Sequence, residues 1–332
     1  MKTVRTQFGS LALAGLMGLG GLMGTLYSAA GSAADPMPQL RMTAAEHVSA
    51  ALGTKVLAAT RAGKRIVAVG DHGAVLLSDD DGKTFRQAQS VPVSSTLTAV
   101  TFIDTNTGWA VGHWGAVVKT TDGGEHWALQ SSDMAVDQPL FSVYFRSAGD
   151  GWAVGLWSLI LHTTDGGANW STVSLTPPGT KKSDRNLYSI FADQHNDLFI
   201  ACEQGRVARS SDDGATWSIV DTGYAGSFWT GLALQDGTLL VGGLRGTVYR
   251  SADGGRSWQP SKTQFRSSVT GLAQSSKHSV EAVGLDGVSL VSSDDGISFA
   301  GKQRPDRTAL TAVTFASDGK PVLFSVNGPV RP

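Results

Sequence analysis

An eight-residue pattern, S/T-x-D-x-G-x-x-W/F, stands six times along this 332-residue chain: 78–85 (SDDDGKTF), 120–127 (TTDGGEHW), 163–170 (TTDGGANW), 210–217 (SSDDGATW), 251–258 (SADGGRSW) and 292–299 (SSDDGISF). Its glycine falls at Gly82, Gly124, Gly167, Gly214, Gly255 and Gly296, in steps of 42, 43, 47, 41 and 41 residues. Self-similarity at about 40 to 50 residues is the mark of propeller blades and solenoid units. The chain is a repeat array.

The pattern is turn chemistry between two strands. Asp and Ser/Thr oxygens accept from nearby backbone N–H groups, and glycine supplies positive φ. Asp80, Asp122, Asp165, Asp212, Asp253 and Asp294 are therefore structural acceptors, one per repeat. The aromatic that closes each copy starts the next strand, and burying it is worth roughly 1.5–3 kcal/mol.

Each repeat shows the same strand order. Alternating segments come first: Leu97–Phe102, Leu140–Phe145, Leu187–Phe191, Trp229–Leu234, Val269–Ala273 and Leu310–Phe315 read as inner strands. A second strand ending in Val-Gly or its equivalent, a tight turn, a third strand, the Asp-containing loop and a fourth strand complete the unit. Six loops mark six units, but Leu310–Phe315 and Pro321–Gly328 repeat the first half of a seventh. The expectation is an all-β, seven-bladed β-propeller of four-stranded antiparallel blades over residues 35–332, with six blades as the alternative. Residues 37–56 are expected to complete the last blade, which would remove an exposed sheet edge.

The repeated loops are Asp-boxes, the hairpin motif named from bacterial neuraminidases. With VGHWGAV before TTDGGEHW and VGGLRGTVY before SADGG, the chain resembles the photosystem II stability and assembly factor family. That resemblance covers nearly all of the chain after its leader. It implies a lumen-facing propeller without enzymatic activity that holds newly made membrane subunits, using an arginine-lined patch matched here to Arg206, Arg209, Arg245 and Arg250.

Lys2 and Arg5 precede an uncharged stretch from Phe8 to Ala34, and Ser32-Ala33-Ala34 forms a small-residue cleavage site, so residues 1–34 read as a signal peptide. An uncleaved membrane anchor is the alternative. Either way the body is expected in the periplasm, or in a thylakoid lumen in a photosynthetic cell. The formal net charge of −1, which loss of Lys2 and Arg5 takes to −3, is too weak a field for general nucleic-acid binding. The one cysteine, Cys202, sits in the strand Leu198–Cys202 and reads as a buried, inert thiol.

An up-down-up strand order puts the Asp-boxes on one rim and the turns between second and third strands on the other. Those turns carry Asp71, His72, His113, Trp114, Leu156, Trp157, Glu203, Gln204, Leu244, Arg245, Leu285, Asp286 and Asn327. Polar and aromatic side chains on loops of a rigid scaffold suit binding, which makes His72, His113, Trp114, Trp157 and Glu203 a candidate partner face. A second candidate is a basic arc. Lys119, His162, Arg209 and Arg250 each precede an Asp-box on four successive blades, and Arg206 and Arg245 lie near them in sequence. Such an arc suits acidic segments or lipid headgroups.

Catalytic signatures fail on missing parts. A sialidase site needs three arginines on a carboxylate and a tyrosine nucleophile paired with a glutamate. The chain has four glutamates, Glu46, Glu125, Glu203 and Glu281, and Arg65-Ile66-Val67 lacks the proline of the neuraminidase motif. Gly82-Lys83-Thr84 resembles a P-loop end, yet Leu77 stands where its first glycine belongs. Asp79-Asp80-Asp81-Gly82 lacks the bidentate glutamate of a calcium loop. His72 and His113, with Asp71, could approach each other on adjacent turns as metal ligands, but ordinary surface histidines are the favoured reading, and no metal, cofactor or small-molecule substrate is expected. The favoured reading is a non-catalytic, exported scaffold for a membrane protein complex or its newly made subunit. The alternative is a glycan-binding or sialidase-like propeller.

Overall fold

The computed structural model describes residues 41–176, 179 and 183–331; the leader expected over residues 1–34 lies outside them. Blade 1 is built from Val56–Ala62, Arg65–Gly70, Val75–Ser78 and Arg86–Gln87. Blades 2 to 6 repeat that antiparallel order from the inner strands Leu97–Phe102, Leu140–Phe145, Leu187–Ala192, Phe228–Ala233 and Val269–Gln274. Blade 7 holds Leu310–Phe315, Pro321–Ser325 and Gly328–Pro329. Every inner strand packs on the inner strands of both neighbours, and the seventh returns onto the first. The ring therefore has seven blades. In blade 5 the inner strand starts at Phe228, one residue before the sequence pattern places it.

The seams between blades explain the repeat. Each Asp-box glycine, all at positive φ, lies against a second-strand side chain of the preceding blade. A Cβ added at Gly255 would stand 2.5 Å from Phe199, one at Gly214 2.6 Å from Trp152, and one at Gly296 2.5 Å from Leu240. Phe199, Trp152, Leu240 and the equivalent Trp109 are wholly buried. Propeller stability thus resides in the seams, each motif copy completing its neighbour's core.

The seam between blades 7 and 1 obeys the same rule although its sides are far apart in sequence. A Cβ on Gly82 would come within 2.7 Å of Val322, and Phe85 meets Phe324 edge-on at 5.6 Å. Arg61 Nη1 donates to Phe315 O at 2.7 Å, and Ser317 N donates to Asp81 Oδ1 at 3.0 Å. The expected fourth strand from residues 37–56 is not formed by residues 41–55. These lead into a 3-10 turn, Ser49–Gly53, that meets the Gly328–Pro329 strand, while Val48 N and Glu46 O bond the Gln87 side chain and Met42 and Ala45 pack on the core of blades 1 and 2. Residues 37–40 of that expectation lie outside the described residues. Blade 6 gains a strand instead: Lys262–Thr263 runs parallel to Ser298–Gln303 and covers its outer edge.

On the rim opposite the Asp-boxes one backbone bond occurs in all seven blades. The turn after the second strand donates to the carbonyl just before the inner strand: Asp71 to Lys55, His113 to Thr96, Leu156 to Pro139, Glu203 to Asn186, Leu244 to Ser227, Leu285 to Ser268 and Val326 to Ala309. The Val-Gly ending follows from this approach, since a Cβ at Gly112 would sit 2.0 Å from Thr96 O. In blade 4 that register is held by Cys202, fully buried, whose thiol desolvation pushes up to about 12. It is an inert core thiol.

Candidate functional site

The Asp-box loops close on themselves. In each, the Ser/Thr hydroxyl donates to the aspartate and accepts from the glycine N–H, while the aspartate also accepts from the backbone four residues on. Asp165 accepts from Thr163 Oγ1, Asn169 N and Asn169 Nδ2 at 2.8–2.9 Å. Hydrogen bonds from Thr84 hold Asp80 at about 2, and bonds from Asn169 hold Asp165 there. In Asp253 burial works upward against bonds from Ser257 and Ser251, and the result is again about 2. Asp122, Asp212 and Asp294 are lowered as well. With its acceptors taken by its own backbone, this rim offers little to a ligand.

The basic arc is spent in the same way. Lys119 Nζ lies 5.0 Å from the centre of the Trp109 ring and donates to Gly166 O, and Arg250 Nε donates to Asp295 O, so both brace the next blade's Asp-box. His162 bonds Asp150 at 2.8 Å and stacks on Trp152, and Arg209 bonds Asp197. Arg206 and Arg245 belong to the opposite rim, where Arg206 pairs with Asp221. The six residues do not form one free cationic arc, because Lys119 and Arg250 brace seams, His162 and Arg209 pair within their own blades, and the other two lie on the opposite rim.

The turn rim is built differently. Blades 1 to 6 each place a non-glycine residue at positive φ in the turn: His72 (58°), Trp114 (59°), Trp157 (55°), Gln204 (59°), Arg245 (58°) and Asp286 (57°). The next residue is also left-handed, which gives a type I′ geometry that fits the twist of a two-residue hairpin and prefers Asn-Gly. A bulky L-residue there costs about 1–2 kcal/mol. Varied side chains held in one strained conformation around a rim are the arrangement expected where display matters.

Not all of the expected face is free. Glu203 accepts from Asn186 N, Asn186 Nδ2 and the Tyr188 hydroxyl, bracing the start of its inner strand. His113 lies 3.5 Å from Asp137, which also accepts from Trp114 N. His72 is exposed beside a cavity of about 710 Å³ between residues 43–54 and Asp71. Among the described residues no group of three or more His, Cys, Asp or Glu is gathered for a metal, and Asp71 is held by Lys55 and Thr96.

Three side chains that sequence reasoning did not bring together complete the rim. Arg266 and Arg307 sit in the connections leading into blades 6 and 7, exposed like Arg245. Among the described residues none of these three guanidinium groups has a hydrogen-bond or ion-pair partner. The signal for the two added arginines was position, in the loop just before an inner strand. A second ring was also hidden. In all seven blades a β-bulge falls at the second inner-strand position, releasing Leu57, Thr98, Phe141, Tyr188, Trp229, Thr270 and Thr311 from the ladder. Aligning the inner strands on their first residue would have found it.

Comparison with known proteins bears on this geometry. Residues 87–238 match the family model described as photosynthesis system II assembly factor YCF48. No curated protein matches the chain. Among solved structures, YCF48 bound to D1 peptide is similar with a TM-score of 0.66 at 18% identity, over 84% of this chain and 92% of that one. YCF48 from Cyanidioschyzon merolae gives 0.64 at 15%, over 84% and 94%. The extracellular domain of the putative one component system BT4673 from B. thetaiotaomicron gives 0.66 at 11%, over 88% of this chain and 39% of that one. Likenesses at these identities show a shared fold.

Proposed function

We propose that this chain is a photosystem II assembly factor-like, non-catalytic scaffold that holds an extended, acidic segment of a membrane protein subunit on its turn rim, a reading supported by the family match over residues 87–238 and by the shared fold. The observation that carries this reading is the trio Arg245, Arg266 and Arg307, exposed and without internal partners among the described residues on one rim of adjoining blades, whereas the basic residues beside the Asp-boxes are paired. Guanidinium groups grip carboxylates bidentately, and a partner lying across several blades adds such contacts. A solved relative holds a D1 peptide, which supports a peptide as the occupant. The scaffold works outside the cytoplasm, exported by residues 1–34, with that leader removed or kept as an anchor.

The test is capture. The full chain, crosslinked in intact cells, should recover a membrane protein subunit, and the combined Arg245→Ala, Arg266→Ala and Arg307→Ala variant should lose at least about tenfold of that recovery while melting normally. Raising salt should weaken the wild type in the same direction, since exposed charges are screened over about 10 Å at 0.1 M. Undiminished capture by the triple variant, or recovery of a glycan in place of a protein, would sink the reading.

A further inference from the structure

The turn of blade 3 differs from its five counterparts. In the other turns a glycine takes the second left-handed position; here Trp157 (φ 55°) is followed by Ser158 (φ 58°), so two non-glycine residues bear the strain. The turn is fixed from behind. Trp157 N donates to Asn186 Oδ1 at 3.2 Å, and Ser158 gives both its N–H and its hydroxyl to Arg185 O. Yet Trp157, held in this conformation, is 56% exposed. More than half of the residue stays open, so the strained turn presents a ring face that something outside the described residues can meet.

Beside the indole runs a groove of about 400 Å³ lined by Leu159, Val173 and Leu175 and by the polar residues Gln138, Ser158, Thr172, Ser174, Thr176 and Ser183. Its lining is mixed: the indole and the three aliphatic side chains can pack an apolar side chain, while the polar groups between them can pair with a peptide backbone. Nearby, the bulge residues Phe141 and Tyr188 stack at 5.5 Å, extending the aromatic character into the start of the inner strands. Going on round the same rim, Gln204 follows in blade 4 and Arg245 in blade 5, with Arg266 and Arg307 beyond.

We propose that the Trp157 groove is a second subsite of the turn rim, seating an apolar side chain of the extended segment whose carboxylates lie on the arginines. This inference rests on the reading of the arginine trio given above. It specifies the partner further: an extended peptide with an apolar residue at one end and acidic residues several positions away, crossing blades 3 to 7.

The test uses the full chain and three short fluorescent peptides, read by anisotropy. One carries Phe and Leu at one end and Glu at the other, one replaces Phe and Leu with Ser, and one replaces Glu with Gln. The first should bind about tenfold more tightly than the Ser peptide. Trp157→Asn should abolish that difference and leave binding of the Ser peptide unchanged, whereas Trp157→Phe should keep most of it. Trp157→Asn should also raise Tm, because Asn tolerates the left-handed region; a structural tryptophan would show the opposite. Undiminished affinity of Trp157→Asn for the first peptide, or a fall in its Tm, overturns the proposal, as does displacement of that peptide by cellohexaose. Loss of arginine dependence with Trp157-dependent binding of the Gln peptide intact would support the groove and sink the arginine reading alone.

Discussion

The two rims of this propeller are made from the same strands and obey opposite rules. On one, six loops repeat nearly the same bonds, and the side chains that vary, Lys119, His162, Arg209 and Arg250, are all taken up internally, two by the next blade's loop and two by an aspartate of their own blade. On the other, the backbone repeats just as strictly, but the residue at the strained position changes from His to Trp, Gln, Arg and Asp. Where backbone and side chain repeat together the cause is folding. Where the backbone repeats and the side chain does not, the scaffold is presenting something.

The contrast is broken most severely at a seam. Trp109→Ala removes a fully buried ring stacked on Phe145 at 3.6 Å, together with its bond to Gly166 O of the next Asp-box. A loss of about 3–5 kcal/mol is expected in denaturant unfolding, with peptide affinity unchanged in the folded fraction. Asp253→Ala should cost about 1 kcal/mol, since water can replace some of the acceptors lost to Ser251 and Ser257.

Acid should reveal the same rim. Asp80, Asp165 and Asp253 titrate at about 2 in the folded chain, below the usual value of about 3.9. Their contribution is therefore present above about pH 4 and is lost as pH falls toward 2. Asp253→Asn should flatten that part of a stability–pH curve; an unchanged slope would remove the box carboxylates as its cause.

The seam between blades 6 and 7 departs from the rule and sharpens it. Blade 7 has no described Asp-box to present, and the second-strand position filled by Trp109, Trp152, Phe199 and Leu240 elsewhere holds Glu281. Burial raises its carboxyl, opposed by a Ser289 hydroxyl bond and by Lys302. A raised folded value means that stability from this group is lost as pH rises above the unfolded value of about 4.3. Glu281→Gln should match the wild type in acid and become relatively more stable as pH rises, measured by denaturant midpoints. The smallest effect belongs to the turn rim: Gln204→Asn, which puts the preferred Asn-Gly pair into a type I′ turn ahead of Gly205, should gain at most about 1 kcal/mol in Tm-derived stability. A destabilised variant would show that the side chain at this position packs rather than displays.

Much of the fold could be read from spacing. Each Asp-box glycine must sit against a neighbour's strand, so a motif every 41 to 47 residues counts blades directly, and Leu310–Phe315 marks the seventh. The blade-closing role of residues 37–56 could not be read in the same way, because what residues 41–55 meet is a turn edge and the Gln87 side chain rather than a ladder with its own periodicity. The candidate site was half legible. Trp157 and Arg245 stood out as turn residues, but Lys119 and Arg250 looked identical in sequence to free cations.

Local bonding is what the sequence by itself determined here: an Asp, a Ser or Thr and a Gly at fixed offsets make their own loop, and alternation makes strands, because those interactions span at most a few residues. Only the tertiary structure decided which charges are available. Whether a guanidinium meets a carbonyl of the next blade, as Arg250 meets Asp295, or stands alone, as Arg245, Arg266 and Arg307 do among the described residues, depends on groups that the closing of the ring brings within about 3 Å.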